Sequence, residues 1–587
     1  MPHPSSTPSP VPAGRTGTGA TAACDPRATQ VAGASWRDRA RAVLRLRPRL
    51  HGETLIALAS LYFVLFDNAA FWHAAVEAPL RQAGWAASLG VLVFAANAML
   101  LSAVAWRWLA KPVLALLMVA SALASHYSSA YGVHIDADMV RNVLHTDLRE
   151  STEFVSHGTL AALASTLPAL FVLWRVRLLR RRPSAALARR LAFVAVVALV
   201  AGLAIIGSAR EFGTLVRNHR ETRYLVAPAN VVVSLLKVAT EREERGPRFQ
   251  IAGDARLLPR AAGAKPRLLV LVVGETARAA NWGLSGYARQ TTPRLAATAG
   301  VVNFTDVTAC GSSTEVSLPC MFSLQGREHY DARAIRDDES LLHVLARIGI
   351  PVLWRDNQSG CKGVCDGLPV QRLDAAHDPA HCSGLRCRDG ILLADPASWL
   401  GDGLRDRVVV LHMLGNHGPN YNERAPPAFR RYRPACASAD LGDCTREQIV
   451  NAYDNALLYT DDLLASAIES LRAQSSYDAA LIYVSDHGES LGENGLYLHG
   501  MPWPIAPDVQ LQVPMVAWLS PGFAAATHID TGCLARRAAE PISHDHLFHS
   551  LLGVLDVATA AYRPDRDIFA PCRPTAVARR PMQGSTT

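Results

Sequence analysis

Between Cys24 and Cys310 the chain has no cysteine, its first 35 residues carry almost no large apolar side chain, and no segment repeats another. The last absence excludes solenoids and other repeat arrays. The second leaves the N-terminal stretch too little surface to bury, so residues 1–50 are read as a disordered basic cytoplasmic tail. Charge is also sparse: 19% of the 587 residues are Asp, Glu, Lys or Arg, and a mean hydropathy of +0.10 is too apolar for a wholly soluble protein. No cleaved signal peptide is expected, because the basic stretch leads into several membrane-length segments rather than one short apolar core.

Positive charge is concentrated in two places. Arg37, Arg39, Arg41, Arg45, Arg47 and Arg49 precede the first apolar run, and Arg175, Arg177, Arg180, Arg181, Arg182, Arg189 and Arg190 lie between two later ones. Less Asp38, they account for +12 of a formal +8, so the rest of the chain sums to −4 and no nucleic-acid partner is called for. Membrane topology explains the clusters instead. Five apolar runs, at 54–74, 85–105, 113–131, 158–175 and 191–208, reach or approach the ~20 residues of a bilayer crossing. They predict a five-helix transmembrane bundle over 51–210. The arginine clusters, with Arg107 and Lys111, fall on one side of it, which the positive-inside rule makes cytoplasmic. Residues beyond 210 are then periplasmic, in the inner membrane of a bacterium. Residues 211–262 read as amphipathic linker helices, 263–575 as the periplasmic catalytic domain and 576–587 as a flexible C-terminus.

The cysteines agree with an oxidising compartment. Ten lie between Cys310 and Cys572, and short spacings suggest the pairs Cys310 with Cys320, Cys361 with Cys365, Cys382 with Cys387 and Cys436 with Cys444, leaving Cys533 and Cys572 for a fifth. A metal site at Cys361 and Cys365 is the other reading of that pair, but no companion has zinc-ribbon spacing.

From about residue 263, short β-rich runs alternate with helical stretches, which predicts an α/β domain with a mostly parallel central sheet flanked by helices. In such sheets functional groups gather at the carboxyl ends of strands. Here LLVLVVG ends on Glu275, AALIYVS on Asp486 and His487, and RVVVLHML runs into Asn416 and His417. An isolated carboxylate after a strand is ordinarily a helix cap. Three such ends together suit a catalytic metal with mixed oxygen and nitrogen ligands, zinc first and manganese second. In CGSSTEVSLPC, Thr314 stands where a short helix should begin. Its hydroxyl needs a metal to become a nucleophile, and a helix N-terminus favours an arriving phosphate. A capping role is the other use of such a threonine.

The stretches GETARAANWGLSGYARQTTP, CGSSTEVSLPCMFS, YVSDHGESLGENGLYLHG and the NHGP at 416–419 resemble the lipid A phosphoethanolamine transferases, a family that includes the mobile colistin-resistance enzymes and belongs to the alkaline phosphatase and sulfatase superfamily. The resemblance implies zinc held by Glu275, Thr314, Asp486 and His487, with Thr314 as the residue that takes up phosphoethanolamine. It implies that Lys362, His417 and His499, with Glu489 beside them, hold the substrate phosphate or a second zinc. His417 or His499 would serve as general acid and base. In DADMVRNVLHTDLRE, Asn142, Thr146 and Glu150 recur every four residues and predict one face of a single helix. That face is either solvated or, as family members carry the same residue types, a site for the donor headgroup. Asp67 is read as interfacial and solvated, with a place in that headgroup site as the alternative.

These observations imply transfer of phosphoethanolamine from phosphatidylethanolamine to a lipid A phosphate, conferring resistance to polymyxin-like cationic peptides. The rivals are transfer to a Kdo or heptose of the lipopolysaccharide core, a membrane-anchored phosphodiesterase or sulfatase, and a scaffold without activity.

Overall fold

A computed structural model describes residues 47–76, 82–104, 106–146, 148–241, 248–373, 378–383 and 386–574. The tail through residue 46, Cys24 and the segment 576–587 lie outside the described residues. Among the described residues, four helices are long and apolar enough to span a bilayer: α3 (Ala83–Ser102), α4 (Ala110–Tyr131), α7 (His157–Arg175) and α8 (Pro183–Gly207). The fifth crossing is broken. Helices α1 (Gly52–Phe66) and α2 (Ala69–Ala75) meet at an angle of 64° where one run over 54–74 is expected. Asn68 holds the break, donating from Nδ2 to Phe63 O at 2.8 Å and to Ala227 O at 2.9 Å while its Oδ1 accepts from Ala227 N. The neighbouring Asp67 is buried rather than interfacial and solvated, because the bend turns it inward.

Large apolar side chains face outward along these helices, among them Leu61 and Leu65 on α1, Leu167 and Phe171 on α7, and Leu199 and Leu203 on α8. A surface this apolar is stable against lipid, not water. After α8 come α9 (Ala209–Asn218) and α10 (Ala229–Glu241), in which Val231 and Val238 are buried while Val233 and Leu236 stay exposed.

The expected single helix through Asn142, Thr146 and Glu150 is two. Helix α5 (Ala137–His145) is capped by Asp136, whose side chain accepts from Met139 N, and it ends before Thr146, which is extended at ψ 130°. Helix α6 (Leu148–Glu153) is a separate helix, so the three residues do not lie on one helix. Of Glu150 only the backbone is described.

The C-terminal part is built on a seven-stranded sheet. Its strands are β1 (Arg267–Gly274), β2 (Val301–Phe304), β3 (Val352–Asp356), β4 (Val370–Arg372), β5 (Arg407–His412), β6 (Asp478–Ser485) and β7 (Met515–Leu519), in the order β2-β7-β6-β1-β5-β3-β4. Pairings from β6 through β4 are parallel, and β7 is antiparallel to both its neighbours. Strand β1 is buried at all eight positions, as a parallel strand covered on both faces must be. Leu269, Leu271 and Val273 enter one core, whereas Leu268, Val270 and Val272 enter the other with Leu457, Leu464 and Ile468 of the long helix α11 (Arg446–Arg472). That helix starts on a capping box between Thr445 and Gln448. Disulfides join Cys310 to Cys320, Cys361 to Cys365, Cys382 to Cys387, Cys436 to Cys444 and Cys533 to Cys572.

Helix α12 (Asp545–Val554) carries a titratable group with a consequence for stability. His549 is buried, and its Nδ1 accepts the Arg563 backbone N–H at 3.3 Å, which requires the neutral ring. Burial, with the Arg563 charge behind it, pushes the imidazole down from 6.5 to about 4. The unfolded chain therefore binds this proton first as pH falls. The contribution is complete above the unfolded value and is lost on acidification toward the folded one, by about 2 kcal/mol. Thermal unfolding of the full chain between about pH 7 and pH 4.5 should show this acid sensitivity reduced in His549→Gln. Identical slopes would contradict it.

Candidate metal centre and active site

Parallel register decides where the site lies. Ser485 of β6 pairs with Gly274 of β1, so the next residue of each strand, Asp486 and Glu275, emerge side by side. His412 of β5 pairs with Val273 and with Asp356 of β3, which brings the loop after β5 to the same edge. Gly415 in that loop has φ +53°, and a Cβ there would lie 2.6 Å from Glu275 O, so the backbone approaches as only glycine allows. Asn416 N donates to that same carbonyl at 3.0 Å.

Thr314 is the first residue of the buried helix between Ser313 and Phe322, and the Cys310–Cys320 disulfide closes the segment around it. Its Oγ1 donates to Glu275 Oε2 at 2.9 Å and lies 3.2 Å from His487 Nε2. His487 Nε2 is 3.3 Å from Glu275 Oε1 and 3.4 Å from Asp486 Oδ2. All four expected ligands are thus brought together. Donor atoms of Glu275, His487 and His499 also lie within 4.8 Å of one another, which adds His499 to the groups able to reach an ion.

Glu275 Oε1 and Asp486 Oδ2 are buried and accept no hydrogen bond among the described residues. Two inward-facing carboxylate oxygens left without donors are costly unless a cation meets them, so the residues fit a metal ion. The electrostatics agree. Burial and the neighbouring Glu275 charge push the Asp486 carboxyl up. Burial opposes charge on His487, but Asp486 and Glu275 outweigh it and raise the imidazole to about 9. For Glu275, burial is outweighed by the adjacent His487 and by the charges of His417 and His499, which hold it below the carboxylate range. The cluster therefore has a field that calls for positive charge.

Around this centre, His499 Nδ1 is 2.7 Å from Glu489 Oε2, and Tyr421 donates to Glu489 Oε1 at 2.5 Å. The Glu489 carboxylate so holds and orients the His499 ring through Nδ1. The His499 ring stands 4.4 Å from that of His487 and 5.4 Å from that of His417, so His417, His499 and Glu489 are also assembled at the site. Lys362, with φ 47°, sends its ammonium to Ser359 Oγ at 2.9 Å rather than to the carboxylate cluster.

The Asn142 segment reaches the site from the membrane side. A Cβ at Gly500 would lie 2.7 Å from Met139 Cε and 4.0 Å from Ser313 Cβ, so this glycine leaves room for α5 beside the nucleophile. His145 Nδ1 meets Glu315 Oε2 at 2.9 Å, one residue beyond Thr314. Thr146 Oγ1 bonds back to Asn142 O at 2.8 Å.

Several residues escaped the sequence analysis. Gln358 donates to Glu275 Oε2 at 2.8 Å. Asp389 accepts the backbone N–H groups of Leu414 and Gly415 at 2.8 and 2.7 Å and so fixes the loop that carries His417. Arg424 grips both oxygens of Glu153 on α6 and donates from Nε to His417 O at 2.6 Å. No motif or spacing marks Gln358, Asp389 or Arg424, and Tyr421, two residues beyond NHGP, was not singled out either.

Residues 93–242 match the family described as phosphoethanolamine transferase EptA/EptB, and residues 267–557 match the sulfatase family. Phosphoethanolamine transferase EptA of Escherichia coli (strain K12) is 37% identical over 541 residues, which span 90% of this chain and 98% of that protein. The chain belongs to the phosphoethanolamine transferases. Phosphatidylethanolamine transferase Mcr-1 of Escherichia coli is 35% identical over 532 residues, covering 88% of this chain and 96% of that one. Among solved structures, the integral membrane protein lipooligosaccharide phosphoethanolamine transferase A (EptA) from Neisseria meningitidis superposes with a TM-score of 0.85 at 37% identity, over 90% of this chain and 100% of that one. Family membership accounts for the pairing of apolar helices with a sulfatase-like sheet.

Proposed function

We propose that the chain takes phosphoethanolamine from phosphatidylethanolamine onto Thr314 and passes it to a lipid A phosphate, with zinc held by Glu275, Asp486, His487 and Thr314. The observation that carries this is the Thr314 hydroxyl set between Glu275 and His487, beside two buried carboxylate oxygens that lack donors. The names of the relatives support donor and acceptor: one is called a phosphatidylethanolamine transferase, another a lipooligosaccharide phosphoethanolamine transferase. A bound zinc ion supplies Lewis-acid charge that lowers the pKa of the threonine hydroxyl.

Thr314 Oγ1 attacks phosphorus, its proton leaves toward the adjacent carboxylate or imidazole, and the bond from phosphorus to the diacylglycerol oxygen breaks. The departing oxygen takes a proton from His499 or His417. In the second half, an acceptor phosphate oxygen attacks the phosphothreonine and gives its proton to the histidine that lost one, while Thr314 Oγ1 leaves and recovers its proton from the group that took it. Glu489 orients His499 for this work, and Arg424 fixes the His417 backbone. Asn142, Thr146 and Glu150 are proposed to meet the donor headgroup, because α5 lies against Gly500 beside the nucleophile. Lys362 is proposed to meet the phosphate.

Masses of lipid A from cells expressing the chain or its Thr314→Ala variant test the reading. One added phosphoethanolamine on lipid A, present only with Thr314, is the expected result. Unmodified lipid A beside a modified core sugar would overturn the acceptor. Released phosphoethanolamine with neither lipid changed would point to hydrolysis.

The chain is further proposed to sit in the bacterial inner membrane with a cytoplasmic N-terminus and residues 263–575 in the periplasm. Reporter fusions after residue 182 and after residue 240 should then report opposite sides, since α8 lies between them. A common side would contradict this topology.

A further inference from the structure

Behind the catalytic loop lies a second cavity, of about 330 Å³, walled by Arg386, Arg388, Arg424, His381, Thr152 and Gly415. Gly415 is shared, since its other side packs on the Glu275 backbone. The cavity is therefore a neighbour of the metal centre and not part of it.

The guanidinium donors around it are not all spent. Arg424 is committed to Glu153, and among the described residues Arg386 spends only its Nε on that carboxylate, at 3.0 Å. Arg388 makes no side-chain hydrogen bond or ion pair among the described residues, and its Nε is buried without a partner. Of the acidic groups on the wall, Asp389 already accepts from Leu414 N, Gly415 N and Asn357 Nδ2. Glu423 lies at the rim, half exposed and 3.8 Å from Arg430. Arg388 and the terminal nitrogens of Arg386 thus keep N–H donors unspent among the described residues, in a cavity large enough for a headgroup. Planar forks with free N–H donors match the oxygens of a phosphate.

Position narrows the source of that phosphate. Thr152 precedes the membrane-length helix α7 by five residues, so the wall it forms stands no more than about 18 Å from the end of that span. Thr152 so ties the cavity to the segment that leads into a membrane-length helix, which favours a lipid headgroup as the source.

We propose that this cavity is a second anion site that binds the phosphate monoester headgroup of a membrane lipid, separate from the site of transfer. Arg386 and Arg388 supply the donors. Because Thr152 and Gly415 share the wall, an occupant touches both the segment leading into the membrane and the loop that carries His417. Nothing in this depends on the transfer chemistry.

The test uses the full chain carrying Thr314→Ala, so that no transfer occurs, in detergent, with native mass spectrometry counting retained lipid. Phosphatidic acid should be retained in preference to phosphatidylcholine. Adding Arg388→Gln should weaken retention several-fold, and Arg386→Gln with Arg388→Gln should weaken it by about tenfold or more. Circular dichroism and melting should be unchanged in the Arg388→Gln protein, whose side chain supports nothing else, and that protein decides the matter if the double variant folds poorly. Inorganic phosphate is the second probe. Arginine-dependent binding of phosphate by a protein that retains no phosphatidic acid would keep the anion site and overturn the lipid as its occupant. A folded Arg388→Gln protein that retains phosphatidic acid like its parent would overturn the site, as would lipid lodged only at the metal centre, which the arginine substitutions do not touch.

Discussion

In a Thr314→Ala variant, phosphoethanolamine transfer is expected to fall by about 10⁴-fold or more, and the protein should no longer carry a covalent phosphoethanolamine group. Four decades correspond to about 5.5 kcal/mol of transition-state stabilisation, an amount that loss of a nucleophile can account for and loss of a hydrogen bond cannot. Stability should change little by comparison. The hydroxyl makes one good hydrogen bond to Glu275 and one contact to His487, and removal of one such group costs about 1 kcal/mol. Alanine also fits the first turn of the helix at least as well as threonine. Thr314→Ser, which keeps the oxygen, should recover part of the rate. Intact-protein mass after incubation with phosphatidylethanolamine reads the covalent step directly. Appreciable transfer by Thr314→Ala would show that another residue is the nucleophile.

Glu275→Gln and Asp486→Asn should lose metal, by more than about 10²-fold in affinity, and lose activity with it. Their stability should respond to chelator in a way that a damaged core would not. Glu275 and Asp486 are both fully buried, and each raises the cost of ionising the other. A bound cation relieves that repulsion, so the wild-type protein should melt at lower temperature once a chelator removes the metal. Binding at about a thousand times the dissociation constant contributes about 4 kcal/mol. Each variant removes one of the two opposed charges while keeping the shape. Its melting temperature should therefore be nearly independent of chelator, and no lower than that of the chelated wild type. Metal content by elemental analysis, beside melting curves with and without chelator, measures both quantities. Full metal occupancy in either variant would exclude that residue as a ligand.

The two predictions separate the roles at the centre. Thr314→Ala should keep its metal, because the other donors remain at the site, whereas the carboxylate variants should lose metal and nucleophile activation together. A protein that lost metal in all three variants would make Thr314 a ligand on which occupancy depends.

Which parts of this molecule were legible in its residue order follows from the range of the interactions involved. Run length and apolar content are local properties, so the membrane-length segments and the β1 strand stood out before any coordinates. The ends of strands are local too, and Glu275, Asp486, His487 and His417 could be picked out as groups that follow them. Cysteines a few residues apart could be paired because a short loop keeps them close. What only the tertiary structure decided depends on partners far along the chain. The pairing of Gly274 with Ser485 brings two carboxylates together across 211 positions of sequence. The break after Phe66 is held by Ala227, 159 residues from Asn68, and no feature of the run 54–74 announces it. Gln358, Asp389 and Arg424 became visible only through the atoms they hold, namely a Glu275 oxygen, the Leu414 and Gly415 amides, and Glu153 with His417. Hydrophobic period and turn chemistry act within a few residues and so are written in order. Hydrogen bonds between strand ends, loops and the membrane-side helices act through space, and it is these that turned separate strand ends into one site.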